Sequence, residues 1–239
     1  MRAVGDGVMT RLLDLFCGAG GAAVGYSRAG FTDIVGVDIK PQPRYPFTFV
    51  LGDALEYVAA HGHEFDAIHA SPPCQAFTAL RTMPNARAHQ DLLAPTRDAL
   101  LAVGKPFVIE NVPQAPMEIR PPSLFSRING VTLCGSMFAL GTESFQLRRH
   151  RLFESDVMLL QPECRHDSMR QVVGFYGDHA RTRARIDGHH SRGADITGKA
   201  RKKMLATLLL GIDWMEWHEI QQAIPPAYTE FIGRQLRAA

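Results

Sequence analysis

The stretch LLDLFCGAGG, residues 12–21, decides the fold of this chain. Its first five residues are mostly apolar, which is typical of a short strand buried inside a sheet. A glycine turn follows at once, and residues 22–29 are compatible with a helix. This order lets backbone N–H groups and the positive helix end approach a ligand closely, as in nucleotide-binding α/β folds. No Gly-Lys-Ser/Thr follows, so the pattern does not predict a phosphate-binding P-loop.

Two acidic residues follow the next two predicted strands. Asp38 comes after the strand Ile34–Val37, and Asp53 follows the segment Phe47–Leu51. At the carboxyl edge of a parallel sheet, Asp38 can accept hydrogen bonds from ribose hydroxyls and Asp53 from the amine of adenine. The pair therefore suits a cofactor that contains adenosine. Aspartates at strand ends also cap helices and turns, so that second role stays open.

The stretch SPPCQ, residues 71–75, puts Cys74 just past the apolar run Phe65–Ala70, which predicts a buried strand. Pro72 and Pro73 each fix their own φ and restrict the residue before them, so the sulfur leaves the strand end in a set direction. That arrangement is typical of a nucleophile. A buried structural cysteine beside a proline turn is the alternative.

Candidate partners for this cysteine occur further along the chain. The segment Pro106–Ile109 predicts another buried strand that delivers Glu110 at its end. Burial would raise the pKa of this carboxyl, so that it could carry a proton to a substrate. Arg149 and Arg151 follow in RRHRLF and could favour a thiolate. A surface carboxylate and solvated arginines on an edge strand are the alternatives.

Taken in order, the glycine turn, the strand-end acids, Pro-Pro-Cys-Gln, Glu-Asn-Val and Arg-x-Arg resemble the DNA (cytosine-5) methyltransferase family. The resemblance runs from about Leu12 to Phe153 and resumes near Gly211. It implies an α/β fold with a doubly wound, mostly parallel sheet, helices on both faces and a small basic target-recognition lobe. The implied regions are a catalytic and cofactor-binding domain at 1–160, a target-recognition region at 161–205 and a returning C-terminal segment at 206–239.

The resemblance also implies a reaction, the transfer of a methyl group from S-adenosyl-L-methionine to carbon 5 of cytosine in double-stranded DNA. Carbon 5 is a poor nucleophile, so a thiolate first adds to carbon 6 of a base that is flipped out of the duplex. The family pattern assigns the thiolate to Cys74 and protonation of the ring nitrogen to Glu110. It assigns binding of the target base to Arg149 and Arg151.

The same match implies a set of cofactor residues. Phe16 would stack on the adenine, and Gly18 and Gly21 would let the backbone approach the methionine part. Asp14 would lie near the amino end of the cofactor, although an acid on the first strand can equally brace a loop. The pocket would be completed by Asp38, Ile39, Asp53 and Pro73.

The closing segment, from Gly211 to a predicted amphipathic helix at Ala227–Leu236, resembles the last motifs of the family, which pack beside the glycine turn. It departs at Gln221-Gln222, where the family usually has Gly-Asn. A glutamine also usually stands two positions before the first arginine of Arg-x-Arg. Here that position is Leu147, and Gln146 lies one place earlier.

Charge is distributed unevenly along the chain. The net charge is only +2, yet Arg165–Lys203 holds ten Lys or Arg against four Asp, a local +6 that leaves −4 for the remainder. This segment predicts contact with a polyanion such as DNA. A solvated basic loop is the alternative. At 239 residues and 46% apolar residues, the chain can bury a full α/β core.

The cysteines show no paired spacing, and no long apolar segment follows the N-terminal basic residue. We therefore expect a reduced, cytoplasmic protein without a membrane partner, and we expect a monomer. Cys134 is predicted to lie in the core. A zinc site can be imagined, but the spacings fit no regular finger, so no metal is predicted. The residues considered for it were Cys164, His166, His179, His189 and His190.

Three other functions remain open at this stage. A cytosine-5 methyltransferase acting on RNA would share the chemistry. A non-catalytic DNA-binding relative would not need both Cys74 and Glu110. A dinucleotide-dependent oxidoreductase is supported by the glycine turn alone.

Overall fold

A seven-stranded sheet forms the centre of the protein. The computed structural model describes residues 9–74, 77, 90–117, 128–176, 179–183, 185–186, 189–190 and 196–239. Five parallel strands come first in the chain and lie side by side. They are β1 (Arg11–Leu15), β2 (Asp33–Asp38), β3 (Thr48–Leu51), β4 (Ala67–Ala70) and β5 (Phe107–Asn111). Each lies within two residues of a predicted strand, because each has an apolar run closed by turn residues.

Two antiparallel strands complete this sheet. β6 (Asn129–Leu133) lies at one edge, and β8 (Arg151–Ser155) is inserted between β5 and β6, which gives the order β3-β2-β1-β4-β5-β8-β6. The mostly parallel, doubly wound sheet that the sequence predicted is confirmed. The Arg-x-Arg motif therefore leads into an interior strand and not into an edge strand.

Helices cover both faces of the sheet, as predicted. Successive residues of β1 point to opposite faces, so Leu12 packs with the first and last helices, whereas Leu13 packs with the second and third. Within the ranges described, no helix is long and apolar enough to cross a lipid bilayer. The helices are α1 (Gly21–Arg28), α2 (Ala54–His61), α3 (Leu93–Val103), α4 (Lys199–Leu210), α5 (Trp217–Ile220) and α6 (Pro226–Leu236).

The closing segment lies against the glycine turn. A Cβ on Gly21 would come within 2.5 Å of the carbonyl oxygen of Ile224, so only glycine permits this approach. Thr229 on α6 donates a hydrogen bond through Oγ1 to the Ala22 carbonyl (2.9 Å). The helix predicted at 227–236 is confirmed one residue earlier, since Pro226 provides a preset first turn.

A smaller sheet takes most of its strands from the sequence after the Arg-x-Arg motif. Its first strand comes from before the motif. β7 (Phe145–Leu147) pairs in parallel with β9 (Gln171–Tyr176), which pairs antiparallel with β10 (His179–Arg183). A short hairpin, β11 (Arg185–Ile186) with β12 (His189–His190), follows. The region expected at 161–205 therefore shares its sheet with residues upstream of it. The upstream strand β7 gives β9 a hydrogen-bonding partner on its second side. The expected boundary at residue 205 also falls inside α4.

Candidate active site

The predicted catalytic residues lie at one edge of the main sheet. β4 and β5 are parallel neighbours in which Ala70 pairs with Ile109, so both strands end at the same edge. Cys74 follows the end of β4, and Glu110 stands near the end of β5. β8 runs antiparallel to β5 and pairs Phe153 with Glu110, so it begins at this edge. The sheet therefore brings together residues that are far apart in the sequence.

The thiol of Cys74 is half-buried in a mixed electrostatic environment. Burial raises its pKa, and the neighbouring Glu110 carboxylate raises it further. Arg151 and Arg149 act in the opposite direction and lower the pKa, because their positive charge favours the thiolate. The ionisation of Cys74 therefore depends on the charge that Glu110 carries.

Glu110 is buried and faces an arginine. Its Oε1 lies 2.9 Å from Arg151 Nε, but no aligned hydrogen-bond donor among the described residues reaches that oxygen. Burial raises the pKa of this carboxyl, whereas Arg151 and Arg149 lower it, and the net direction is upward. A carboxyl in this state holds a proton at higher pH than usual, as a general acid requires.

Arg149 is buried against the closing segment. One of its terminal nitrogens donates to the Gln221 carbonyl (2.6 Å), and its own carbonyl accepts from the Tyr228 hydroxyl (2.5 Å). The position where the family usually has Gly-Asn thus supplies a backbone oxygen to this arginine. Its charge still acts on the Cys74 thiol and on Glu110.

An asparagine that the sequence analysis did not single out holds the cysteine turn. Asn111 is 1% exposed; its Nδ2 donates to the Pro72 carbonyl (3.1 Å) and its Oδ1 accepts from Val112 N–H (2.9 Å). It therefore ties the end of β5 to the turn that carries Cys74. A polar amide at the end of an apolar strand was the available signal, because a buried amide needs partners.

A buried series of hydrogen-bonded side chains also supports the turn that carries Cys74. It joins Tyr26 Oη to His69 Nδ1 (3.1 Å) and His69 Nε2 to Ser71 Oγ (2.9 Å). Burial lowers the pKa of His69 to about 3, so the imidazole is neutral at physiological pH. Ser71 precedes the two prolines, and its position is therefore fixed by α1 as well as by β4.

The predicted cofactor residues gather at the ends of β1 and β2. Phe16 has a left-handed φ of 56°, which is rare for a residue with a side chain and often marks a functional turn. Gly18 also has positive φ (51°), and open space lies where its Cβ would stand. Asp38 accepts hydrogen bonds from Gly18 N–H (3.1 Å) and Lys40 N–H (2.9 Å). This carboxylate thus shapes the turn that the cofactor was expected to contact.

The neighbouring residues also fit an adenosine group. Ile39 is an apolar side chain with 71% exposure, next to Asp38. Asp53 caps α2, since its Oδ1 accepts from the N–H groups of Leu55 (2.8 Å) and Glu56 (3.0 Å). Its Oδ2 accepts no hydrogen bond from the residues that the structure describes. Pro73 is half-buried beside Cys74, at the end of the adjacent strand.

Two other residues have a packing role in the structure. Gly21 lies against Ile224, so its missing side chain serves contact with the closing segment. Asp14 is fully buried, and its Oδ2 accepts from the Tyr45 hydroxyl (3.2 Å). Tyr45 belongs to the loop between β2 and β3. Of the two roles considered for Asp14, this contact supports the bracing of a loop.

We expect Asn111→Ala to loosen the Cys74 turn. Loss of its buried hydrogen bonds should lower the free energy of unfolding by about 1–3 kcal/mol. Urea denaturation would measure that loss, and site-resolved alkylation would show a changed rate at Cys74. The exposed Cys164, alkylated in the presence of a metal chelator, serves as the internal control, because it lies outside this turn. Unchanged stability and an unchanged Cys74 rate would contradict the anchoring role.

The strand order and the glycine turn after β1 define a doubly wound, Rossmann-like α/β fold. A crystal structure described as a DNA modification methyltransferase encoded within a prophage (E. coli) has a similar fold. The match has a TM-score of 0.56 and covers 96% of this chain and 99% of that chain. Identity is 14%, so this likeness shows the fold alone.

The sequence comparisons relate part of the chain to a known family. Residues 10–116 match the profile of the C-5 cytosine-specific DNA methylases. Type II methyltransferase M.XorII from Xanthomonas oryzae is 32% identical over 117 residues, which are 42% of this chain and 27% of that protein. Type II methyltransferase M1.HphI from Haemophilus parahaemolyticus is 30% identical over 117 residues, 42% of this chain and 32% of that protein. Residues 10–116 therefore resemble the DNA (cytosine-5) methyltransferase family, and the chain spans about a third or less of these relatives.

Proposed function

We propose that this protein transfers a methyl group from S-adenosyl-L-methionine to carbon 5 of cytosine in double-stranded DNA. The observation that carries the proposal is the grouping of Cys74, Glu110 and Arg151 at one sheet edge, with Arg151 Nε 2.9 Å from Glu110 Oε1. A nucleophile, an acid with a raised pKa and a fixed positive charge are the groups that addition to a pyrimidine needs.

In the proposed reaction the Cys74 thiolate adds to carbon 6 of the flipped-out base, and Glu110 gives its proton to the ring nitrogen at position 3. Carbon 5 gains electron density and would take the methyl group as the bond between that methyl and the sulfonium sulfur breaks, which would leave S-adenosylhomocysteine. The proton on carbon 5 then leaves to solvent, the carbon–sulfur bond breaks, and the ring nitrogen returns its proton to Glu110. Each protein group ends as it began, and the base exchanges hydrogen for methyl.

Arg151 and Arg149 have complementary parts in this scheme. Arg151 faces Glu110 directly and compensates the negative charge that Glu110 acquires once its proton is given. Arg149 is held by the closing segment and acts at longer range on the thiol. Both charges stabilise the thiolate before addition, which offsets the cost of its burial.

Bound S-adenosylmethionine supplies the electrophilic methyl group. Residues of this chain that would hold it are Phe16 for stacking, the open face of Gly18, and the carboxylates of Asp38 and Asp53. Ile39 and Pro73 would add apolar contact on either side. The fit rests on the open space at Gly18 and on the exposed Ile39, which directly follows Asp38.

The basic segment Arg165–Lys203 supports DNA as the partner. Its net charge of +6 suits the phosphate backbone, and its strand β9 pairs with β7, which stands just before Arg149. The lobe would therefore reach the duplex from beside the catalytic edge. Base-edge contacts from the lobe would select the cytosine, because phosphate contacts carry no sequence information.

Bisulfite sequencing of plasmid DNA from cells that express the protein tests this function. Protected cytosines in one sequence context, absent with Cys74→Ser, are the expected result. Purified protein should also transfer labelled methyl groups faster to duplex DNA than to RNA of the same sequence. Faster transfer to RNA would establish an RNA enzyme, and no transfer to either substrate would refute methyltransferase activity.

The variants Asp53→Ser and Asp53→Ala separate helix capping from cofactor binding. Both should weaken binding of S-adenosylhomocysteine by about 1–3 kcal/mol, because neither side chain reaches the adenine amine. Serine still caps a helix, so only alanine should lower the free energy of unfolding, by about 1 kcal/mol. Isothermal titration calorimetry and thermal unfolding measure the two effects. Full affinity in both variants would place the adenosine elsewhere.

A further inference from the structure

Two cysteines and two histidines meet at the surface end of β6 and β8. Cys134 directly follows β6, and His150 directly precedes β8. Leu133 pairs with Arg151 across these strands, so the residues one step further, Cys134 and His150, face each other. Cys164 and His166 come from the connection between β8 and β9. Within the part of the chain that the structure describes, this is the group suited to a metal ion.

The four side chains have the separations of a tetrahedral site. His166 Nε2 lies 3.1 Å from Cys164 Sγ and 3.4 Å from Cys134 Sγ, and His150 Nε2 lies 3.6 Å from Cys164 Sγ. All four ligand atoms fall within 4.8 Å of one another. Ligands bound tetrahedrally to zinc at about 2.3 Å for sulfur and 2.0–2.1 Å for nitrogen lie about 3.6 Å apart. These three sulfur–nitrogen separations agree with that spacing to within about half an ångström.

We propose that Cys134, His150, Cys164 and His166 bind one structural zinc ion. Two thiolates and two imidazoles form a donor set that selects zinc among the common divalent ions. Four protein ligands fill the coordination shell, which is the arrangement of a structural site and not of a catalytic one. On binding, each cysteine releases its thiol proton to solvent and the imidazoles bind in neutral form.

Neighbouring groups hold the ligands of this site in position. Ser136 Oγ donates to Cys134 Sγ (3.3 Å) and lies 3.5 Å from Cys164 Sγ, as outer-shell groups around thiolates do. The backbone next to His166 is fixed independently, since the Asp167 carbonyl accepts from Arg148 (3.0 Å) and from the Gln146 side chain. The ligands are therefore held close by contacts that do not involve the metal.

The location gives the ion a positioning role. His150 is the middle residue of Arg-x-Arg, and its carbonyl accepts from Arg151 Nη1 (2.9 Å). Arg151 in turn contacts Glu110. Zinc would join the connection to the small sheet with the backbone that carries both arginines. This inference stands on the four ligands alone and does not depend on methyl transfer.

The test uses the full chain, purified without a histidine tag, loaded with zinc and dialysed against zinc-free buffer. Mass spectrometry of bound metals should find one zinc per chain. X-ray absorption should show two sulfur ligands at about 2.3 Å and two nitrogen ligands at about 2.0 Å. Cys164→Ser and His166→Gln should lose the ion, and Ser136→Ala should weaken its affinity by about 10–100-fold.

Matched controls keep the result specific. Cys74→Ser and the exposed His218→Gln should retain one zinc, since neither residue belongs to the cluster. Bound zinc should also protect Cys134 and Cys164 from alkylation until a chelator is added, a readout that needs no variant. Wild type without zinc, a Cys134–Cys164 disulfide, iron as the bound metal, or full zinc in Cys164→Ser would each overturn the assignment.

Discussion

Replacement of Cys74 by serine is expected to abolish methyl transfer and covalent capture of DNA. A hydroxyl does not ionise near neutral pH, so the arginine charges that favour a thiolate cannot generate a comparable nucleophile. Duplex DNA with 5-fluorocytosine at the target position tests this, because fluorine blocks the final loss of a proton from carbon 5. Wild type with cofactor should form a denaturant-stable complex, and Cys74→Ser should form none.

Binding measurements separate a lost nucleophile from a lost fold. Cys74→Ser should keep its affinity for S-adenosylhomocysteine and for duplex DNA. Cys17→Ser is the matched cysteine control for the trapping reaction. Burial raises the pKa of the Cys17 thiol, which therefore stays protonated and should form no adduct itself. Cys17→Ser should therefore form the denaturant-stable complex as wild type does. A stable complex with Cys74→Ser, or none with wild type, would remove Cys74 from the proposed mechanism.

Glu110→Gln should lower the chemical step by about 10²–10⁴-fold, since an amide cannot deliver a proton to the ring nitrogen. The same change should make Cys74 more acidic. The Glu110 carboxylate raises the pKa of that thiol, so its removal lowers the pKa and moves the midpoint of the alkylation profile to lower pH. Single-turnover rates and the pH dependence of Cys74 alkylation measure the two effects.

A third measurement distinguishes a catalytic acid from a residue that only supports the fold, because loss of burial would also lower the pKa of Cys74. Glu110→Gln should keep the thermal unfolding temperature and the affinity for S-adenosylhomocysteine of wild type. Glu56→Gln, on the exposed side of α2, is the control and should change neither the transfer rate nor the alkylation profile. A transfer rate within a few fold of wild type would exclude Glu110 as the proton donor.

The central strands and α1 could be predicted from the sequence because their signals are local. An apolar run that ends in glycine, aspartate or proline limits a strand on both sides, and the structure differs by two residues at most. The insertion of β8 between β5 and β6 could not be predicted in this way. It depends on antiparallel pairing between segments that are distant in the sequence.

The candidate site shows the same division. The motif predicted Cys74 and Glu110, and the sheet brings the ends of their strands together. The anchoring role of Asn111 was missed, since its partner is a carbonyl 39 residues earlier. Aspartate at position 53 was given two possible roles, and the structure shows the capping role directly.

The cysteine and histidine cluster could not be predicted from the sequence for a further reason. Spacing along the chain reveals a metal site only when the ligands come from one local motif. Here they come from the ends of two paired strands and from a later connection. Cys134 was expected in the core and is buried. His150 was read only as the middle residue of the Arg-x-Arg motif and not as a metal ligand.

The contacts of the closing segment also bear on protein synthesis. Gln221 and Tyr228 form hydrogen bonds with Arg149, and Ile224 packs on Gly21 at the start of α1. These partners lie about 70 to 200 residues apart in the sequence, so the ribosome synthesises them at different times. The sheet edge that carries Cys74 and Glu110 therefore cannot assume its final arrangement until residues 221–236 have left the exit tunnel.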